Sequence, residues 1–227
     1  MDQNFYTTPE HLMRVLGTAQ APALIDVCIP EDVAADPFRL PGARRMSHRD
    51  IDGMPTGDVV VACQKGLKLS LGIAAHLRAR GQRAVALDGG VLAWGAAKLP
   101  RIREDGAAAA YVLSPPCDTA TCLTVWVVRR WLAPDARILW VPGDMATAVA
   151  DRFDATATGK GPADLLTTAG LTWPPLHTFV DDALSRPDGW SALLTGLRRL
   201  HSIYEATADA ALPVIDAAWT ALRKDIP

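Results

Sequence analysis

Between Val59 and Ser70 the chain reads Val-Val-Val-Ala-Cys-Gln-Lys-Gly-Leu-Lys-Leu-Ser, and this stretch constrains the fold more than any other. Three consecutive β-branched residues and an alanine predict a short strand buried on both faces. A loop with one glycine and two lysines follows Cys63. A helix-like stretch then runs from Ser70 to Arg80, with Gly81 as its C-terminal cap. Apolar Leu71, Ala74, Ala75 and Leu77 give that helix an inward stripe. A strand feeding a helix through a tight turn opens a βα unit. Such units build parallel sheets whose ligand sites lie beyond the carboxyl ends of the strands. Cys63 stands at such an end, beside the backbone amides of a helix start, a position that favours a thiolate and therefore a nucleophile.

Two further apolar runs, Ala23 to Val27 and Ala84 to Leu87, read as strands of the same sheet. Asp50 to Gly57 is a polar loop, and Asp88-Gly89-Gly90 closes the third strand. The chain changes character at Leu99-Pro100-Arg101-Ile102-Arg103-Glu104-Asp105-Gly106, a polar stretch followed by an alanine run. Every tryptophan except Trp94 lies beyond it. Two domains are expected, 1–104 and 105–227. The first is α/β, a parallel sheet flanked by helices; the second is mainly α-helical (α+β).

With 227 residues, 49% hydrophobic and 21% charged, the composition is that of an ordinary globular chain. A net charge of −2 gives no reason to expect nucleic acid or an anionic membrane as partner. The N-terminus lacks the basic start and apolar core of a secretory signal, and no apolar stretch is long enough to span a bilayer. A cytoplasmic protein is expected. The cysteines Cys28, Cys63, Cys117 and Cys122 show no Cys-x-x-Cys spacing, so neither a disulfide framework nor a structural zinc site is expected. His177 and His201 have no Cys, Asp or Glu at ligand spacing. No metal and no cofactor are expected. Arg129-Arg130 and Arg198-Arg199 read as solvated or helix-end charges.

Four landmarks in order, Leu24-Ile25-Asp26-Val27, Leu40-Pro41-Gly42-Ala43, Cys63 to Ser70, and Leu87-Asp88-Gly89-Gly90 with Trp94, resemble those of a rhodanese domain over about residues 8–103. The resemblance implies a rhodanese-like fold and a sulfurtransferase of the thiosulfate class. Cys63 would be the catalytic residue, accepting a sulfane sulfur as a persulfide. Gln64, Lys65, Gly66, Leu67 and Lys68 would form the substrate-binding loop. The implied partners are a small anionic donor such as thiosulfate and a thiol or protein acceptor, with cyanide as an assay acceptor. Lys65 and Lys68 add positive charge for the incoming dianion and the departing sulfite. Lys68 stands where the family often has arginine, which keeps the charge without the bidentate geometry. A tyrosine phosphatase needs an arginine six residues after its cysteine to grip a phosphoryl group; here that position is Leu69.

Cys28 stands where the family commonly has arginine, so an ion pair with an acidic residue such as Glu31 is lost. Two readings of Cys28 stay open: a small core residue, or a thiol that resolves the Cys63 persulfide from the neighbouring strand. Beyond residue 108, the run from Trp126 to Pro142 reads as a helix, a Pro134-Asp135 turn and a strand. With the helical stretch from Leu176 to Lys224, it resembles the C-terminal domain of ChrB-type chromate-resistance proteins. That family's Asp-Arg and Cys-Pro positions are occupied by Ala120 to Val125, and residues 154–176 hold neither His nor Glu. The expected domain is therefore a degenerate one. Its rival role is that of a non-enzymatic binding or response module for chromate-like oxyanions.

Overall fold

A computed structural model describes residues 5–222. The chain divides into two compact units. One comprises residues up to Leu16 and Gln20–Glu104; the other comprises Gly17–Ala19 and the residues from Asp105 onward.

The first unit runs β1 (Tyr6–Thr7), α1 (Pro9–Met13), β2 (Ala23–Asp26), α2 (Pro30–Ala35), β3 (Phe38–Arg39), β4 (Arg44–Arg45), β5 (Asp58–Ala62), α3 (Lys68–Ala79), β6 (Arg83–Leu87), α4 (Gly90–Ala96) and β7 (Ile102–Arg103). Five strands form one parallel sheet in the order β1-β6-β5-β2-β4, while β3 and β7 make a separate antiparallel ribbon. The order follows from burial. Val59, Val60, Val61 and Ala62 are all buried, so β5 takes the middle of the sheet, where both faces are covered. It pairs Val61 with Ile25 on one side and with Ala86 on the other.

Helix α3 begins at Lys68, two residues before the expected Ser70, so Lys68 is the first helical residue and not the last of the loop. Its buried stripe is Ser70, Ile73, Ala74 and Leu77, which differs from the stripe expected through Leu71 and Ala75. Ile73 packs with Val59, Val61 and Cys63, and burying its branched side chain contributes more than burying an alanine methyl. That preference sets the helix's rotation and brings the Ser70 hydroxyl inward. At the other end, Gly81 with φ +82° donates to the Arg78 carbonyl at 2.9 Å, and Gln82 to the Leu77 carbonyl at 3.2 Å. This pair of bonds is a Schellman closure.

The second unit runs β8 (Ala110–Leu113), α5 (Thr119–Val127), β9 (Arg137–Trp140), α6 (Ala146–Phe153), β10 (Thr156–Ala157), α7 (Pro162–Thr168), α8 (Pro174–Ser185), α9 (Pro187–Leu200) and α10 (Tyr204–Leu222). It is mainly helical around a small parallel sheet in the order β10-β8-β9. Trp126, Trp131 and Trp219 are buried, and with Trp173 and Phe179 they form a cluster of tilted and edge-on rings. One carboxylate serves this core. Asp216 accepts from the Trp126 indole at 2.9 Å and from Arg130 through two bonds of 3.0 and 2.9 Å.

Arg129 donates to the carbonyls of Pro134 and Ala136 at 2.9 and 2.7 Å. Arg129 and Arg130 are thus not both solvated charges: a carboxylate this buried needs a paired cation, and carbonyls past a helix end need donors. Among the described residues, no helix is long and apolar enough to cross a membrane.

Candidate active site

The sheet places three loops at the carboxyl ends of β2, β5 and β6, and Cys63 follows β5 directly. Its side chain is 6% exposed and belongs to the core cluster with Ile25, Val27, Val61 and Ile73. The Cys63 sulfur lies 3.2 Å from the Ser70 hydroxyl, which also lies 3.2 Å from the Leu67 carbonyl and donates to it. Ser70 is fully buried. It was legible only as a helix start; its role as the sulfur's neighbour comes from the stripe that Ile73 sets.

The turn from Cys63 to α3 exists because another backbone fits beneath it. The Val91 amide donates to the Cys63 carbonyl and the Leu92 amide to the Gln64 carbonyl, both at 3.1 Å. Gly66 has φ +67° and Gly90 φ +61°, a region that costs an L side chain about 1 kcal/mol or more. A Cβ on Gly66 would come within 2.4 Å of the Leu87 carbonyl oxygen, and one on Gly90 within 2.0 Å of the Cys63 carbonyl oxygen. The Leu87-Asp88-Gly89-Gly90 landmark is therefore the floor on which the cysteine loop rests.

With its carbonyls directed to that floor, the loop leaves its donors unused. Among the described residues, the N–H groups of Gln64, Lys65 and Leu67 in the loop, and of Lys68, Leu69 and Ser70 at the start of α3, have no protein acceptor. Lys65, Leu67 and Lys68 are exposed, Gln64 is partly buried, and Gly66 is buried. The arrangement combines a sulfur at the base of a turn, a run of available amides, the start of a twelve-residue helix and two ammonium groups. Chemically, it can hold an anion against a nucleophile.

Cys28 belongs to a different environment. Val27 donates to the Ala62 carbonyl at 2.8 Å, so the two strands are neighbours, as their pairing requires. Cys28, however, is tied to Asp26, whose carboxylate accepts its backbone amide at 2.9 Å. It lines a cavity of about 740 Å³ together with Ile29, Val33, Met46 and His48. Arg45 binds the fully buried Asp26 at 2.5 Å and Glu104 at 2.8 Å. An arginine from β4 thus supplies the ion pairs at the carboxyl end of β2. Sequence reasoning missed it; the adjacent pair Arg44-Arg45, just after Leu40-Pro41-Gly42-Ala43, is the signal that could have found it.

Burial raises the Asp26 carboxyl above its ordinary value despite Arg45. Burial first, and the Asp26 charge second, push the Cys28 thiol far up. A thiol whose folded value is raised stays protonated at neutral pH and gains reactivity only as the pH climbs. Iodoacetamide at pH 7 is therefore expected to spare Cys28 in the folded protein, with alkylation accelerating steadily into the alkaline range. Rapid neutral labelling of Cys28, followed by peptide mass mapping, would contradict this. The same protonation disfavours Cys28 as a resolving thiol.

His177 is engaged by the Leu171 carbonyl at 2.7 Å. Among the described residues, no three His, Cys, Asp or Glu side chains are grouped to hold a metal ion.

No family model matches the chain, and no curated protein matches it. Solved structures do. A rhodanese-related protein of Thermoplasma volcanium is 16% identical over 43% of this chain and 97% of its own, with a TM-score of 0.37. A rhodanese homolog from Thermus thermophilus is 31% identical over 39% of this chain and 98% of its own, with a TM-score of 0.32. A thiosulfate sulfurtransferase from Pseudomonas aeruginosa is 25% identical over 45% of this chain and 20% of its own, with a TM-score of 0.38. The structural neighbours are rhodanese-like domains. Each of the three covers less than half of the chain, and the likeness of residues 108–224 to the ChrB-type domain stays an expectation.

Proposed function

We propose that residues 1–104 form a sulfurtransferase domain that moves a sulfane sulfur through a persulfide on Cys63. One observation carries this reading: the Cys63 sulfur begins a turn and helix start in which six amides lack protein acceptors, flanked by exposed Lys65 and Lys68. In the reaction, the Cys63 thiolate attacks the outer sulfur of thiosulfate, and the S–S bond breaks. Sulfite leaves with the electron pair of that bond, and the enzyme keeps one sulfur as a persulfide. A thiol or cyanide then attacks the terminal sulfur, and Cys63 departs as thiolate. Both half-reactions carry negative charge through the loop, where amide dipoles and ammonium groups stabilise it. Gln64, Gly66 and Leu67 contribute through their backbone, which tolerates a range of donors.

The rival reading, an oxyanion-binding module in residues 105–227, is not favoured. Its two best-placed cations, Arg129 and Arg130, are committed to Pro134, Ala136 and Asp216.

Mass spectrometry of the protein after thiosulfate is the test. A single added sulfur on the peptide that carries Cys63, removed by cyanide, is the expected result; an unmodified protein refutes the reading. Ser70→Ala removes the hydroxyl at 3.2 Å from the sulfur; the hydroxyl proton rests on the Leu67 carbonyl and turns to the sulfur once Cys63 ionises. A hydrogen bond to a charged group contributes about 1.5–3 kcal/mol, so persulfide formation is expected to slow by roughly tenfold to a hundredfold. Single-turnover sulfite release checks it.

A further inference from the structure

The second unit carries a pair of sulfurs that sulfur transfer does not use. Cys117 and Cys122 are both buried, and their Sγ atoms are 3.3 Å apart without a disulfide. They straddle the start of α5. Asp118 is the N-cap, its carboxylate accepting the Thr121 amide at 2.9 Å. Cys117 is therefore the residue before the cap, and Cys122 is the fourth of the helix. Those two places form a hydrophobic staple when both side chains are apolar. Two thiols there fill the same space and add chemistry.

The two sulfurs are not equivalent. The hydrogen bond from Cys122 holds Cys117 below the ordinary thiol value, against the effect of its burial. The same bond, with burial, holds Cys122 well above it. Cys117 also sits at the positive end of a nine-residue helix. One sulfur is set to attack as thiolate; once it is oxidised, the hydrogen bond and the charge that held the proton on Cys122 are gone, and Cys122 is released to attack in the second step. Pro116 and Asp118, the neighbours of Cys117, line a cavity of about 340 Å³ with Ser114, Gly143, Thr158 and Gly161. That cavity lies at the carboxyl ends of β8, β9 and β10, and its lining includes the residues on either side of Cys117.

We propose that Cys117 and Cys122 form a redox-active dithiol that a small hydroperoxide converts to a disulfide. Cys117 attacks one peroxide oxygen, the O–O bond breaks, and the departing hydroxide takes a proton to become water. The sulfenic acid formed on Cys117 is then attacked by the Cys122 sulfur. Its hydroxide leaves with the Cys122 proton as a second water. The two sulfurs together lose two electrons, which the peroxide gains.

The test uses the full chain, treated with hydrogen peroxide at neutral pH, then denatured, alkylated and digested. The peptide spanning residues 104–129 is expected to lose two hydrogens and to take up no alkylating reagent, and dithiothreitol should restore both thiols. Cys122→Ser should leave a sulfenic acid on Cys117 that dimedone traps; Cys117→Ser should leave Cys122 reduced. The idea is overturned if both cysteines alkylate fully after peroxide has oxidised Cys63. It is equally overturned if they reach sulfinic acid with no disulfide. The wild-type peptide decides even where a serine variant does not fold.

Discussion

Cys63→Ser is expected to gain no sulfur from thiosulfate and to lose turnover to cyanide by about a thousandfold or more, the scale on which removing a covalent nucleophile acts. A serine hydroxyl is nearly the size of a thiol, but it does not ionise near neutral pH. The substitution places a hydroxyl in a core that includes Ile25, Val61 and Ile73, at a stability cost of about 1–2 kcal/mol. Cys63→Ala keeps the apolar character and serves as the second variant. Both should unfold cooperatively in urea while remaining inactive. If either variant still acquires a cyanide-labile sulfur, the nucleophile is elsewhere and the assignment fails.

Gly90→Ala is expected to impair the same reaction by roughly a hundredfold or more without removing a single reactive atom. The new methyl would come within 2.0 Å of the Cys63 carbonyl, 2.5 Å of the Gly66 amide nitrogen and 2.7 Å of the Gln64 carbonyl. All three are backbone atoms of the loop that holds the nucleophile, and none can rotate aside. The loop must lift, breaking the bonds from Val91 and Leu92 to it. Together with a positive φ, this is expected to cost about 2–4 kcal/mol. Gly81→Ala is the control. Its φ is also positive, at +82°, but nothing lies within 4 Å of its added Cβ. It should therefore lose about 1 kcal/mol and no activity. Urea melts and single-turnover sulfur uptake separate the two variants. Equal activity losses in both would show that the loop does not depend on the floor beneath it.

Much of the first unit was readable from local patterns. Continuous apolar runs marked β2, β5 and β6, and Gly81 marked the end of α3, because buried strands and glycine caps are dictated by few residues. The strands β1 and β4 were not anticipated. Tyr6–Thr7 and Arg44–Arg45 are two-residue edge strands with polar side chains, and only their partners β6 and β2 make them strands. Ser70 escaped notice for a rotational reason. A stripe drawn through Leu71 and Ala75 puts Ser70 off the buried face, whereas Ile73 anchors the stripe that includes it. Arg45 escaped because its role depends on the distant Asp26 and Glu104. In the second unit the helix, turn and strand after Trp126 were legible, and the pairing of β8 with β9 and β10 was not. Those strands are short, and their partners are separated by whole helices.

The three residues Gly17–Ala19 give the second unit an unusual sequence map. Ala19 donates its amide to Asp216 at 3.0 Å. Gly17 lies so close to Trp131 and Trp219 that a Cβ would approach them to 2.6 and 2.7 Å. A single cut between Glu104 and Asp105 therefore does not yield the second unit whole. The fragment 105–227 would lack the amide that completes Asp216 and the glycine that covers two indole rings. Anyone wishing to study that unit alone must return the missing tripeptide, by a designed linker or by circular permutation.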